Sequence, residues 1–253
     1  VNLGVGMPLN VLNYVPEGRE IIFHSENGVL GMKPLEEGAE PNLDLINAGK
    51  QPISMLPGGA FFHHSDSFAM VRGGHIDVCV LGAYEVGQNG DLANWRLPNA
   101  KTAPAVGGAM DLAYGARQVY IMCDHNGRDG APKIVKQCTL PLTGAKCVTK
   151  VFTDIAVIER ADDGMVVREM AEGLEFEELQ ERTGAELRLA SDHMEYIRWM
   201  LFHILRHGAF EWVCRGPADW RRRPADASPT RYEEKALARG DACVYLRFNR
   251  RHR

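Results

Sequence analysis

Hydrophobic residues in this chain recur as short runs, most of them closed by glycine. Val1-Asn2-Leu3-Gly4-Val5-Gly6 opens as a strand, and Pro8 to Val15 follows as a short amphipathic helix. Glu20 to His24 (EIIFH) reads as a compact strand, broken at Ser25-Glu26-Asn27-Gly28. A Gly/Pro/Glu-rich surface loop then runs through Pro41. Ile53 to Leu56 reads as a strand ending at Pro57-Gly58-Gly59, and Ser65 to Val71 as a helix closed by Gly73-Gly74. Ile76 to Leu81 (IDVCVL) does not alternate, which marks a strand covered on both faces. Val86 to Trp95 reads as a turn at Asn89-Gly90 between extended pieces. Gly107-Gly108 precedes a helix over Ala109 to Ala116. Gln118 to Met122, Val148 to Ile158 and Met165 to Val167 supply further strands. Phe176 to Thr183 is a helix with Gly184 as its stop.

Buried strands alternating with helices predict an α/β fold: an open, mainly parallel sheet with flanking helices. In such sheets chemistry collects beyond the carboxyl ends of the strands, and here nearly every strand ends in a glycine turn.

Composition narrows the class without identifying it. The chain has 253 residues, a formal charge of −4, 45% hydrophobic and 25% charged residues. This excludes collagen-like, disulfide-dense and wholly disordered chains. No apolar run approaches the ~18 residues of a membrane span, and no signal peptide is expected ahead of the first element. Cys79, Cys123, Cys138 and Cys147 stand singly in or near apolar runs and read as buried thiols of a reducing compartment, the cytoplasm by preference. Charge is uneven: residues 192–253 carry 13 basic and 8 acidic groups, a net of +5, against −9 for the first 191. Three of the four Trp also fall there. The charge divides the chain into an acidic body over 1–191 and a basic extension over 192–253. Within the extension, Ile197 to Leu205 has a helical apolar pattern. His203, His207 and Cys214 do not add up to four convergent metal ligands, so no metal is expected.

Glu26 is the leading candidate for chemistry, a carboxylate at a strand-to-loop turn followed by Asn27-Gly28. Taken alone the tripeptide is better explained as an exposed turn; the surrounding glycine turns, each able to present backbone N–H groups to a ligand, shift the balance. His63-His64 reads as a surface or substrate contact rather than a metal site. Arg72 and His75 read as structural residues of a helix end, and Met55, Met70 and Met110 as core filling.

Seven blocks appear in order: VNLGVGMP (1–8), SENGVLG (25–31), DLINAGK (44–50), SFAMVRGGH (67–75), GDLANW (90–95), GGAMDL (107–112) and LPLTG (140–144). Together they resemble the B-type subunit of the family I 3-oxoacid CoA-transferases, among them the succinyl-CoA:acetoacetate and 3-oxoadipate:succinyl-CoA enzymes. The resemblance covers residues 1 to 190 or so, which makes 1–191 the expected domain and 192–253 an expected non-homologous or disordered extension. It implies a CoA-transferase (sugar isomerase-like) architecture, an A-type CoA-transferase subunit for partner, and coenzyme A as substrate with no tightly bound cofactor. It further implies ping-pong transfer in which Glu26 is the nucleophile and carries a glutamyl-CoA thioester. A free glutamate, ionised above pH ~4.3, needs no general base for this, which fits the lack of an evident Ser-His-Asp or Cys-His set. By the family's pattern Asn2, Gly107 and Gly108 contact the acyl or thioester oxygen. Gly4, Gly6, Asn27 and Gly28 are candidate substrate or CoA contacts. The stretch Phe61-Phe62-His63-His64 with Asp66-Ser67-Phe68 leans towards 3-oxoadipate as acceptor, ahead of acetoacetate, with His63 or His64 holding its distal carboxylate.

The resemblance also implies a helix before the first block, which this chain lacks, so that a fragment is expected. The extension has no counterpart in the family: it reads either as an arm for nucleic acid or an anionic surface, or, preferably, as GC-rich sequence translated out of frame. Two rivals to the enzyme remain: a ligand-sensing module on the related architecture of sugar-responsive regulators, and an inactive paralogue. The Ser-Glu-Asn-Gly block discriminates, since a sensor has no need of a nucleophilic carboxylate there.

Overall fold

The computed structural model describes residues 1–98, 104–161, 164–189, 194–206, 210–214, 216, 220–223, 237–240, 243–246 and 248–250. They divide into two units, Val1–Arg160 with Glu169–Glu186, and Ala161–Arg168 with Leu187–Arg253.

The first unit is built on strands β1 (Asn2–Leu3), β2 (His24–Ser25), β3 (Val29–Pro34), β4 (Ile53–Phe61), β5 (Val78–Leu81), β8 (Gln118–Met122), β10 (Val148–Phe152) and β11 (Ala156–Ala161). Their order is β11-β10-β8-β5-β1-β2-β3-β4. From β10 to β2 every pairing is parallel; β3, β4 and β11 add antiparallel margins. The expected mainly parallel sheet is therefore present. A 3-10 helix (Met7–Tyr14) crosses from β1 to β2, and helices α1 (His64–Arg72) and α2 (Ala109–Gly115) pack on each other. Beside the sheet, β6 (Glu85–Gly87) and β7 (Leu92–Ala93) form the hairpin expected at Asn89-Gly90, and β9 (Ile134–Val135) pairs with β6. Helix α3 (Phe176–Glu181) closes the unit.

One apolar cluster holds the site end together: Leu3, Leu9, Leu12, Phe23, Val29, Met32, Ile53 and Val80. Burying each such side chain contributes about 1.5–3 kcal/mol against leaving it in water.

Two strand expectations change. The strand expected over Glu20 to His24 forms only as His24–Ser25, because β1 offers partners only over Asn2–Leu3 and the register sets His24 against Asn2. The strand from Ile53 does not stop at Pro57-Gly58-Gly59 but runs to Phe61. It lies at the sheet margin, where the missing N–H of proline interrupts no ladder, and the Pro-Gly-Gly segment is taken up as an irregularity opposite β3. Met110 is 53% exposed and fills no core gap: its side chain lies on the open face of α2. Arg72 is structural as expected, making a two-pronged ion pair with Asp111 (2.8 and 3.0 Å) that ties α1 to α2.

In the second unit, part of β12 (Gly164–Met170) runs parallel to β13 (Leu187–Leu189), and α4 (Met194–Arg206) covers the helix expected from Ile197. Ile197, Met200 and Ile204 pack with Phe210, Val244, Leu246 and Phe248, the last on the antiparallel pair of β14 (Phe210–Trp212) and β15 (Phe248–Arg250). His207 lies outside the described residues. Among those described, no three His, Cys, Asp or Glu are grouped to hold a metal ion, and no helix is long and apolar enough to cross a membrane.

Two buried histidines give the first unit a pH dependence. His24 is wholly enclosed, and burial pushes its pKa down to about 4. His125, bonded to the hydroxyls of Thr153 and Thr183, is likewise pushed down to about 4 by burial. In the unfolded chain each takes up its proton near pH ~6.5. Between those values the unfolded state binds more protons, so stability falls as the pH drops. Melting curves from pH 7 to 4.5 are expected to show a falling Tm, with the slope flattened by His125→Gln; a slope unchanged in that variant would contradict the assignment.

Candidate active site

Glu26 sits on a three-residue hairpin loop between β2 and β3, where the N–H of Gly28 donates to the carbonyl of Ser25 (3.0 Å). Gly28 has φ +110°, and a side chain there would run into the carbonyl oxygen of Phe62, so only glycine closes this loop. The loop is clamped from outside. Ser25 Oγ accepts from the N–H of Ala48 (2.9 Å), Asn27 Nδ2 donates to the carbonyl of Ile46 (2.8 Å), and Phe62 N–H donates to Gly28 O (3.0 Å). Asn47, itself buried, organises that clamp by accepting from the N–H groups of Gly49 and Gln51 (2.9 and 3.0 Å). Thus the DLINAGK block holds the turn that bears the glutamate, a task its composition does not announce.

Opposite the carboxylate stands the Gly107-Gly108 turn at the start of α2. A Cβ on Gly108 would lie 2.5 Å from Glu26 Oε2 and 2.6 Å from the ring of Phe68. The backbone therefore reaches the carboxylate only because no side chain intervenes. Gly107 has φ +62° and faces open space.

The carboxyl of Glu26 is half-buried and titrates above the ordinary glutamate range. Burial is the main cause, the charge of Asp111 on α2 adds to it, and His64 at the start of α1 opposes both. The carboxylate is thus stripped of part of its water, which raises its basicity above that expected of a free glutamate. Four thiols of the first unit are held protonated and do not compete. Burial drives Cys79 up, Cys123 and Cys147 up to about 11, and Cys138 up to about 12. Cys79 and Cys123 are buried as expected, Cys138 and Cys147 only in part.

Asn2 requires a correction. Its side chain is 1% exposed, and its amide donates to His24 Nδ1 (2.9 Å) and to the carbonyl of His24 (3.3 Å). Both amide protons are consumed inside the sheet, so none is left for an acyl oxygen. Gly4 lies at the same sheet end as Glu26, following β1 as Glu26 follows β2, but its N–H is bonded to Val80 O (2.8 Å). Gly6 is an exposed turn glycine before the 3-10 helix. The histidine pair divides: His63 caps α1, its Nδ1 accepting from the N–H of Ser65 (3.2 Å), whereas His64 packs edge-on against Phe68 at 4.9 Å. His24, Ser67 and Phe68, which surround the turn, carry no signal in the sequence beyond lying within or beside the family blocks.

A sequence profile described as coenzyme A transferase matches residues 1–181. The chain is 51% identical over 187 residues to the B-type subunit of the 3-oxoadipate CoA-transferase of Acinetobacter baylyi, an alignment covering 74% of this chain and 86% of that protein. It is 48% identical over 191 residues to the corresponding subunit of the succinyl-CoA:3-ketoacid coenzyme A transferase of Helicobacter pylori, covering 75% and 90%. Among solved structures, an acyl-CoA transferase apoenzyme from Escherichia coli O157:H7 has a TM-score of 0.59 at 17% identity, over 75% of this chain and 38% of that one. That likeness is one of fold alone.

Proposed function

The chain belongs to the coenzyme A transferase family, and from that premise we propose that it moves CoA from succinyl-CoA to a 3-oxo acid through Glu26, in complex with its A-type companion. A carboxylate oxygen of Glu26 attacks the thioester carbonyl, the C–S bond breaks, and CoA leaves as thiolate. The thiolate then attacks the glutamyl carbonyl of the mixed anhydride, succinate departs, and a glutamyl-CoA thioester remains. The acceptor carboxylate reverses both steps. No proton is transferred, so the mechanism asks for no general base beside Glu26.

The observation that carries this reading is the half-dehydrated Glu26 carboxylate held against the Gly107-Gly108 backbone. Each addition step builds negative charge on a carbonyl oxygen, and preplaced N–H donors stabilise it most where water is excluded. With Asn2 committed elsewhere, the Gly107-Gly108 turn is the donor set on this chain. The test is direct: incubate the complex with succinyl-CoA, quench, and map CoA by mass spectrometry. An adduct on Glu26 is expected; a competent complex without one refutes the mechanism.

For the acceptor we favour 3-oxoadipate over acetoacetate, supported by the relatives of that name and by His64, which packs on Phe68 and is the one of the two histidines whose charge acts on Glu26. A protonated His64 would take the distal carboxylate that acetoacetate lacks. His64→Ala is expected to raise KM for 3-oxoadipate about tenfold, the scale of one charge-assisted hydrogen bond, and to leave KM for acetoacetate within twofold. Equal effects on both acceptors would refute the role.

A further inference from the structure

Two residues before Glu26 the chain buries an imidazole completely, at a position where an aliphatic side chain would fill the space without the cost of enclosing a polar ring. Its bonds account for that expense. Asn2 Nδ2 on β1 donates to His24 Nδ1 (2.9 Å), which leaves the ring proton on Nε2, and that proton is donated to Ser67 Oγ on α1 (2.9 Å). Asn2 is itself fixed by the thiol of Cys79 on β5, which donates to Asn2 Oδ1 (3.7 Å). The ring of Phe62, whose backbone N–H helps clamp the Glu26 loop, stacks on His24 at 5.9 Å and 15°. One side chain thus joins β1, β2 and α1 by directional bonds.

The neighbours of those bonds reach the reacting groups from two sides. Ser67 precedes Phe68, whose ring forms the wall against Gly108, and His24 begins the two-residue strand that delivers Glu26. We propose that His24 is a positioning residue for the nucleophile: through Asn2 and Ser67 it sets the distance between the Glu26 carboxylate and the Gly108 backbone. Apolar packing resists compression but leaves rotation and sliding free, whereas two opposed hydrogen bonds on a rigid ring fix both. The proposal rests on Glu26 acting as the nucleophile.

The experiment begins with the wild-type chain in complex with its companion, assayed with succinyl-CoA for the adduct on Glu26. Absence of that adduct would overturn the nucleophile reading and this proposal with it. His24→Met then keeps the volume and deletes both bonds, while His24→Gln retains an acceptor and a donor to bridge Asn2 and Ser67. His24→Met is expected to lower kcat about 100-fold, the scale of a 1 Å misplacement, with KM for succinyl-CoA within threefold and the complex intact. His24→Gln is expected to recover kcat to within tenfold of wild type. Ser67→Ala, which removes one bond and no bulk, tests the same link should His24→Met fail to fold, with an expected tenfold fall in kcat. A wild-type adduct accompanied by unchanged kcat in His24→Met or Ser67→Ala, or by a kcat in His24→Gln as low as in His24→Met, would overturn the positioning role and leave the nucleophile reading standing.

Discussion

Replacing Glu26 by glutamine is expected to lower kcat by at least about 10⁴-fold, the scale seen when a covalent nucleophile is removed, without loss of fold. The amide has the shape of the acid but not its nucleophilic oxygen, so neither anhydride nor thioester forms. Stability is expected to move the other way. The folded-state pKa of Glu26 is raised, chiefly by burial, so the wild-type chain loses stability as the pH rises through that value. The glutamine variant suffers no such loss, and its Tm at pH 7 is expected to equal or exceed that of wild type. Steady-state rates together with melting curves check both halves. A variant with more than 1% of wild-type kcat would remove Glu26 from the mechanism.

The second large effect is expected from one methyl group. Gly108→Ala places a Cβ 2.5 Å from Glu26 Oε2 and 2.6 Å from the Phe68 ring. The carboxylate is the freer of the two neighbours, since the Phe68 ring is buried between His64 and Arg72 of its own helix, so Glu26 is the part displaced. A fall in kcat of about 10²–10³-fold is expected, from misplacement together with a disturbed donor. Gly107→Ala is the contrast. It meets no atoms but forces a side chain into a φ of +62°, at a cost of about 1 kcal/mol. It is expected to lower Tm with a much smaller effect on kcat. Equal kcat losses in the two variants would mean that backbone strain, not contact with Glu26, governs the site.

Much of this arrangement is legible in residue order because it is local. Glycine punctuation and unalternating runs such as Ile76 to Leu81 report backbone freedom and two-sided burial, so the parallel strands, both helices beside the site and the turn at Glu26 follow from residue order alone. Where a partner strand decided the outcome, the local signal misled. The apolar run before His24 had too little of β1 to pair with, and Pro57-Gly58-Gly59 was harmless on a sheet margin.

The site divides along the same line. Glu26 stands out as a carboxylate on a strand-to-loop turn among glycine turns, whereas the Gly107-Gly108 turn is assigned to the acyl oxygen by the family's pattern. Asn2 is assigned to the acyl oxygen by the same pattern, and nothing in residue order reveals that its two amide protons are spent on His24. The raised pKa of Glu26 and the burial of His24 between Asn2 and Ser67 depend on groups 22 to 85 positions apart in the chain. Sequence alone determined which residues have the chemistry to act. The tertiary structure decided which of them are free to act, because hydrogen bonds and lost water are properties of neighbours in space.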